Sequence, residues 1–164
     1  RSRAGEWGID PERIGIMGFS AGGHLAVMTA ISFEKPAYEP IDAVDRTSCR
    51  PNFAVVAYPG YILTHPGSGV LADSIRIPKG TGPMFLVHAS DDDEPGAQPE
   101  QSLALYRTLR GAGVPVELHI YDEGGHGFGV RRSRRSVSRW PEQCAEWLRH
   151  RGILPGPAGD RTGR

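Results

Sequence analysis

Cysteine is nearly absent: the 164 residues hold two, Cys49 and Cys144. Neither stands in a CxxC or other metal-ligand spacing, which argues against a structural zinc. Two isolated buried thiols, or one disulfide closing a long loop in an oxidising compartment, both remain open. Lysine is scarce as well, two residues against 17 arginines, a skew that reflects a GC-rich genome more than a task. Net charge is missing, with 19 basic and 19 acidic residues. That excludes a general nucleic-acid binder and leaves only local patches. No run of 18 or more apolar residues occurs, so no transmembrane helix is expected. The first residues, Arg1-Ser2-Arg3, carry neither an initiator methionine nor the apolar segment of a signal peptide. Internal repeats are lacking too.

Glycine and proline are abundant, 22 and 14 residues, nearly double the usual share of roughly 12%. Aromatic and β-branched runs accompany them, so the excess predicts many tight turns rather than disorder. The length suits one domain with a core of its own. Four apolar runs predict strands: Ile14–Phe19, Phe53–Tyr58 and Met84–Ala89 as buried ones, and Val116–Tyr121, which alternates, as a strand with a more exposed face. Helices are predicted over Leu25–Ile31, over Ser102–Arg110 with Gly111 as C-cap, and over Trp140–Leu148 with Pro141 in its first turn. Residues 33–51 and 61–82 read as loops. Strands alternating with helices predict an α/β fold, a mostly parallel sheet with helices on both faces. The expected organisation is one domain over 1–154 and a flexible tail over 155–164.

Gly18-Phe19-Ser20-Ala21-Gly22 matches G-x-S-x-G between a strand and a helix. The two glycines let strand and helix approach around a sharp turn, so that the serine hydroxyl is exposed at the strand's carboxyl end. The Ala21 backbone N–H, at the helix start, is a candidate oxyanion donor. A serine hydroxyl needs a base and an orienting acid. The third strand runs into Asp91-Asp92-Asp93-Glu94, and the fourth is followed by Gly124-Gly125-His126-Gly127. Acids and a histidine beyond parallel strand ends lie at the nucleophile's edge of the sheet. Ser20 and His126 are therefore the candidate nucleophile and base, with the acid to come from the run Asp91–Glu94. His24 and His88 read as packing residues, and His65, His119 and His150 as surface or loop residues. Arg131, Arg132, Arg134, Arg135 and Arg139 read as a solvated basic loop, or as a recognition patch for an anionic sugar or polymer.

Together these stretches resemble the α/β-hydrolase superfamily, and within it the bacterial esterase/lipase-like group described as acetyl-xylan or feruloyl esterases. The resemblance rests on Glu6–Leu25, Pro83–His88, Gly113–Tyr121 and Gly124–Gly129. It implies an acid four residues after the strand-terminal His88, which makes Asp92 the third catalytic candidate beside Ser20 and His126, with Asp91 as the alternative acid. It implies ester hydrolysis through an acyl-enzyme, no metal or organic cofactor, and a small acyl ester or acylated polysaccharide as substrate. It implies no nucleic-acid or membrane partner. Full-length members are often secreted or periplasmic. The family pattern includes an upstream H-G-G loop and further strands before the nucleophile, which this sequence does not contain. The expectation is therefore a carboxy-terminal catalytic portion with an exposed edge strand, Ala21 as its one oxyanion donor, and low activity alone. Two alternatives stay open: a peptidase of the prolyl-oligopeptidase type, and a non-catalytic remnant that binds sugar or a partner.

Overall fold

Four short apolar runs form the sheet. The computed structural model describes residues 1–35 and 37–156; the predicted tail over 155–164 falls almost wholly outside them. The chain opens with a single helical turn, α1 (Ala4–Trp7), closed by Gly8 in a left-handed conformation. It continues through β1 (Gly15–Phe19), α2 (Ala21–Ile31), β2 (Phe53–Ala57), β3 (Met84–Ala89), α3 (Glu100–Gly111), β4 (Val116–Tyr121) and α4 (Trp140–His150). The strands lie in chain order β1-β2-β3-β4. Every pairing is parallel, with Gly15 opposite Phe53, Ala54 opposite Met84 and Met84 opposite Val116.

Alternation along the central strands divides the core in two. Ala54, Val56, Met84 and Leu86 meet Ala26, Val27 and Ala30 of α2 and Leu105 and Leu109 of α3. Val55, Ala57, Phe85 and Val87 meet Trp140, Cys144 and Trp147 of α4. Helices thus cover both faces, and all six residues of β3 are buried. Burying each tryptophan of α4 contributes on the order of 2–3 kcal/mol.

Several expectations need correction. β1 is not a buried strand: it is outermost in the sheet, and Gly15 and Met17 are exposed. Leu25 points outward from α2, 64% exposed. α3 runs one residue further than expected, through Gly111, and is capped at Ala112; Gly113 takes the left-handed turn (φ 73°) that ends it. His119 is half-buried on β4, not in a loop: it stacks on Phe85 with ring centroids 5.1 Å apart. The cysteines are both free, and only Cys144 is buried. Cys49 lies exposed in the loop before β2, whereas burial in α4 pushes the Cys144 thiol up to about 11.

Candidate active site

Parallel strands deliver all their carboxyl ends to one edge, and each of the four is followed there by a residue of one cluster. Ser20 follows β1, Tyr58 follows β2, Asp92 lies just past β3, and His126 lies just past β4. Ser20 occupies a strained turn (φ 55°, ψ −123°), a conformation that costs a non-glycine residue about 1–3 kcal/mol. Its N–H donates to the Ala57 carbonyl (3.0 Å), and its own carbonyl accepts from the His24 N–H (3.1 Å). The turn closes because Gly18 has no side chain: a Cβ there would collide with the Gly22 carbonyl. Gly22 does not share this role, since a Cβ on it meets nothing within 4 Å. The second close approach belongs to Gly23, whose Cβ would stand 3.1 Å from the Ala57 oxygen and the Pro59 Cα. Ala21 is the first residue of α2 and is exposed. Its N–H belongs to the helix start, where no intrahelical partner exists.

Ser20 Oγ lies 2.8 Å from His126 Nε2, and His126 Nδ1 lies 2.8 Å from Asp92 Oδ2. The carboxylate is the acceptor at Nδ1, so that nitrogen carries the hydrogen. Nε2 is then free to accept the Ser20 hydroxyl proton. Asp92 is buried, and the His126 side chain is 22% exposed. The Tyr58 ring stands edge-on to the imidazole, 5.1 Å between centroids, and packs on Phe128 at 4.4 Å. Burial raises the Tyr58 hydroxyl above its ordinary value. That hydroxyl accepts from the Gly129 N–H (3.2 Å), while the Gly129 carbonyl accepts from Trp140 Nε1 (2.7 Å). The loop bearing His126 is thereby tied to both β2 and α4.

Asp91, the alternative acid, does not face His126. Its Oδ1 accepts from the Gly124 and Gly125 N–H groups, each at 2.7 Å, and so anchors the loop that presents the imidazole. The Gly125 N–H, and then that of Gly124, hold its carboxyl below the ordinary range. His88 is the residue whose place the sequence reading missed. It is fully buried, with Nε2 2.8 Å from the Ala97 carbonyl and 3.2 Å from Asp92 Oδ2. The only signal was its position four residues before Asp92. His24 Nδ1 contacts the Gly60 carbonyl (3.1 Å) and braces the chain after β2. Of the basic cluster, Arg131 and Arg135 line a cavity of about 180 Å3 with Gly124, Phe128 and Val137. Arg135 also lies 3.9 Å from Glu123. Among the described residues no group of three or more His, Cys, Asp or Glu side chains could hold a metal ion, and no helix is long and apolar enough to cross a membrane.

Two family models match different parts of the chain: BD-FAE over residues 1–57 and the Prolyl oligopeptidase family over residues 72–151. A protein named acetylxylan esterase, from Xylanibacter ruminicola, is 29% identical over 180 residues, covering 98% of this chain and 34% of that protein. Among solved structures, an acetyl ester-xyloside bifunctional hydrolase from Caldicellulosiruptor lactoaceticus superposes with a TM-score of 0.77 at 33% identity. It covers 93% of this chain and 62% of that one. A thermophilic esterase from Thermogutta terrifontis, with propionate bound, superposes with a TM-score of 0.76 at 26% identity, covering 96% and 62%. The chain thus spans about a third of the length of that acetylxylan esterase and under two thirds of these structures.

Proposed function

We propose that this chain, similar to α/β-hydrolases over most of its length, forms over residues 1–154 the catalytic part of a serine carboxylic-ester hydrolase. The observation that carries the reading is the unbroken run of hydrogen bonds Ser20–His126–Asp92, 2.8 Å at each link. His126 takes the Ser20 proton as Oγ attacks the ester carbonyl. The Ala21 N–H faces the oxyanion of the tetrahedral intermediate, and Asp92 stabilises the imidazolium. Collapse expels the alcohol, protonated by His126, and leaves acyl-Ser20. A water deprotonated by His126 then releases the acid and restores the serine. None of these steps draws on a metal or an organic cofactor. The substrate class is an acetyl or other small acyl ester on a carbohydrate. Its support is the names of the relatives, acetylxylan esterase and acetyl ester-xyloside hydrolase.

The test is hydrolysis of p-nitrophenyl acetate and acetylated xylan, with fluorophosphonate labelling, on this chain and on the full-length gene product, each beside Ser20→Ala. The expected result is labelling and hydrolysis lost in Ser20→Ala. The match to the Prolyl oligopeptidase family over 72–151 supports a second reading, a serine peptidase. Cleavage of peptide p-nitroanilides without ester turnover would select it. A folded, full-length protein that neither labels nor hydrolyses would overturn both in favour of a binding remnant.

A further inference from the structure

We propose that His88 is a positioning residue for this centre: its Nε2–H donates to the same Asp92 oxygen that accepts from His126, and so holds that carboxylate aimed at the base. The inference rests on the reading of Ser20, His126 and Asp92 given above.

Both atoms within reach of Nε2 are acceptors, the Ala97 carbonyl at 2.8 Å and Asp92 Oδ2 at 3.2 Å. Nε2 must therefore carry the hydrogen, which is bonded to the Ala97 carbonyl and stands beside Asp92 Oδ2. On the other side of the ring, Nδ1 lies 2.8 Å from the Ser102 hydroxyl of α3 and accepts from it. His88, Ser102 and the Asp92 side chain are all buried. Burial pushes the imidazole below the ordinary histidine range against the pull of Asp92, which keeps it neutral. The result is a chain of five side chains, Ser102–His88–Asp92–His126–Ser20, that ties α3 to the nucleophile. Ala97 adds the far end of the acidic loop to the same ring. Among the described residues the other Asp92 oxygen, Oδ1, accepts only from the Glu94 N–H at 3.1 Å, so without His88 little would stop the carboxylate turning. The titratable and charged groups facing the cluster are His88, Asp92 and His126 themselves, with Tyr58 from the end of β2 and Arg131 beyond it.

A donor on Oδ2 spreads the carboxylate's charge. Its removal concentrates that charge on the His126 bond and changes that bond's strength. The test uses 15N-histidine-labelled protein and the variants His88→Gln, which keeps an N–H near the Nε2 position, and His88→Leu, which has none. In the wild type, NMR at pH 7.5 is expected to show His88 as the neutral Nε2–H tautomer, with its protonation displaced below the ordinary histidine range. The downfield Nδ1–H proton signal of His126, bonded to Asp92, is expected to keep its position in His88→Gln and to shift in His88→Leu. Fluorophosphonate labelling at Ser20 is expected to slow about tenfold in His88→Leu and less than about threefold in His88→Gln. An Nδ1–H tautomer, a His88 that titrates at or above an ordinary histidine, or a folded His88→Leu with wild-type His126 signal and labelling would overturn the proposal. Should His88→Leu not fold, the wild-type tautomer and the behaviour of His88→Gln still decide it. A wild type with the expected tautomer, and variants with the expected His126 signals, that do not label would overturn the Ser20 reading and leave the His88–Asp92 coupling supported.

Discussion

Two neighbouring aspartates differ by one residue in sequence and by their entire role in the structure, and amide substitution separates them. In Asp92→Asn the side chain keeps its shape but loses its charge. Both Asp92 oxygens accept N–H groups, Oδ2 from His126 and Oδ1 from Glu94. The new NH2 must therefore oppose one of these donors. The Glu94 contact is the longer, 3.1 Å against 2.8 Å, so the NH2 settles there and the amide oxygen stays on His126. The tautomer then survives, and the loss is the attraction between carboxylate and imidazolium. With charge centres about 4 Å apart and an effective dielectric near 20, that attraction is about 4 kcal/mol, a slowing of roughly a thousandfold. In Asp91→Asn the amide oxygen still accepts from Gly124 and Gly125, so labelling should fall by less than about threefold. The assay is the second-order rate of fluorophosphonate inactivation, with melting curves to confirm folding. Equal losses in the two variants, or an Asp92→Asn within tenfold of wild type, would refute the assignment of Asp92 as orienting acid.

Four further outcomes are expected. Gly18→Ala, which drives a Cβ into the Gly22 carbonyl, should destabilise by about 3 kcal/mol or more. Gly22→Ala, with open space at its Cβ, should stabilise by about 0.5 kcal/mol; urea unfolding compares the two. Trp140→Phe removes the donor to the Gly129 carbonyl. It should cost about 1–3 kcal/mol, read as a lowered Tm, and should slow labelling at Ser20 by loosening the His126 loop. Cys49 should react at once with a thiol reagent at pH 8, while Cys144, its thiol pushed up to about 11, should react only on unfolding. Because the folded pKa of His88 is depressed, the unfolded chain takes up a proton near its ordinary value of about 6.5 before the folded one does. Stability should therefore be present above that pH and be lost as pH falls below it. Urea titrations at pH 7.5 and 5.0 should show a smaller loss in His88→Gln.

What could be read from sequence was whatever depends on short range. Buried parallel strands are continuous apolar runs, so Phe53–Ala57 and Met84–Ala89 announce themselves. The turn at Ser20 is written in Gly18, two residues away. What escaped depends on which surfaces meet. The exposure of Met17 follows from the outermost place of β1 in the sheet, and no local pattern records strand order. Gly22 and Gly23 are indistinguishable in a motif, yet only Gly23 backs onto the Ala57–Pro59 segment. Asp91 and Asp92 stand in one acidic run. The pleat and turn after β3 send one to the backbone of Gly124 and Gly125 and the other to an imidazole. His88 looked like a strand residue because its partners, Ala97 and Ser102, lie 9 and 14 positions on.

The misses around the Ser20–His126–Asp92 cluster share a direction. Each concerns a group that holds another group in place: Asp91 the His126 loop, Tyr58 and Trp140 the two sides of Gly129, His88 the Asp92 carboxylate. The reacting atoms are confined to types that chemistry permits, so a serine in a tight turn, an acid and a histidine can be found by kind. A supporting residue has no such restriction; any donor of the right reach would serve. Its identity is set by distance alone, and distance is what folding creates. The positional tolerance of a Ser–His–Asp arrangement is well under 1 Å. Four parallel strands deliver their ends to one edge with less accuracy than that. The remaining precision must come from the cross-ties, and it follows that substitutions at these supports should lower kcat more than they raise KM.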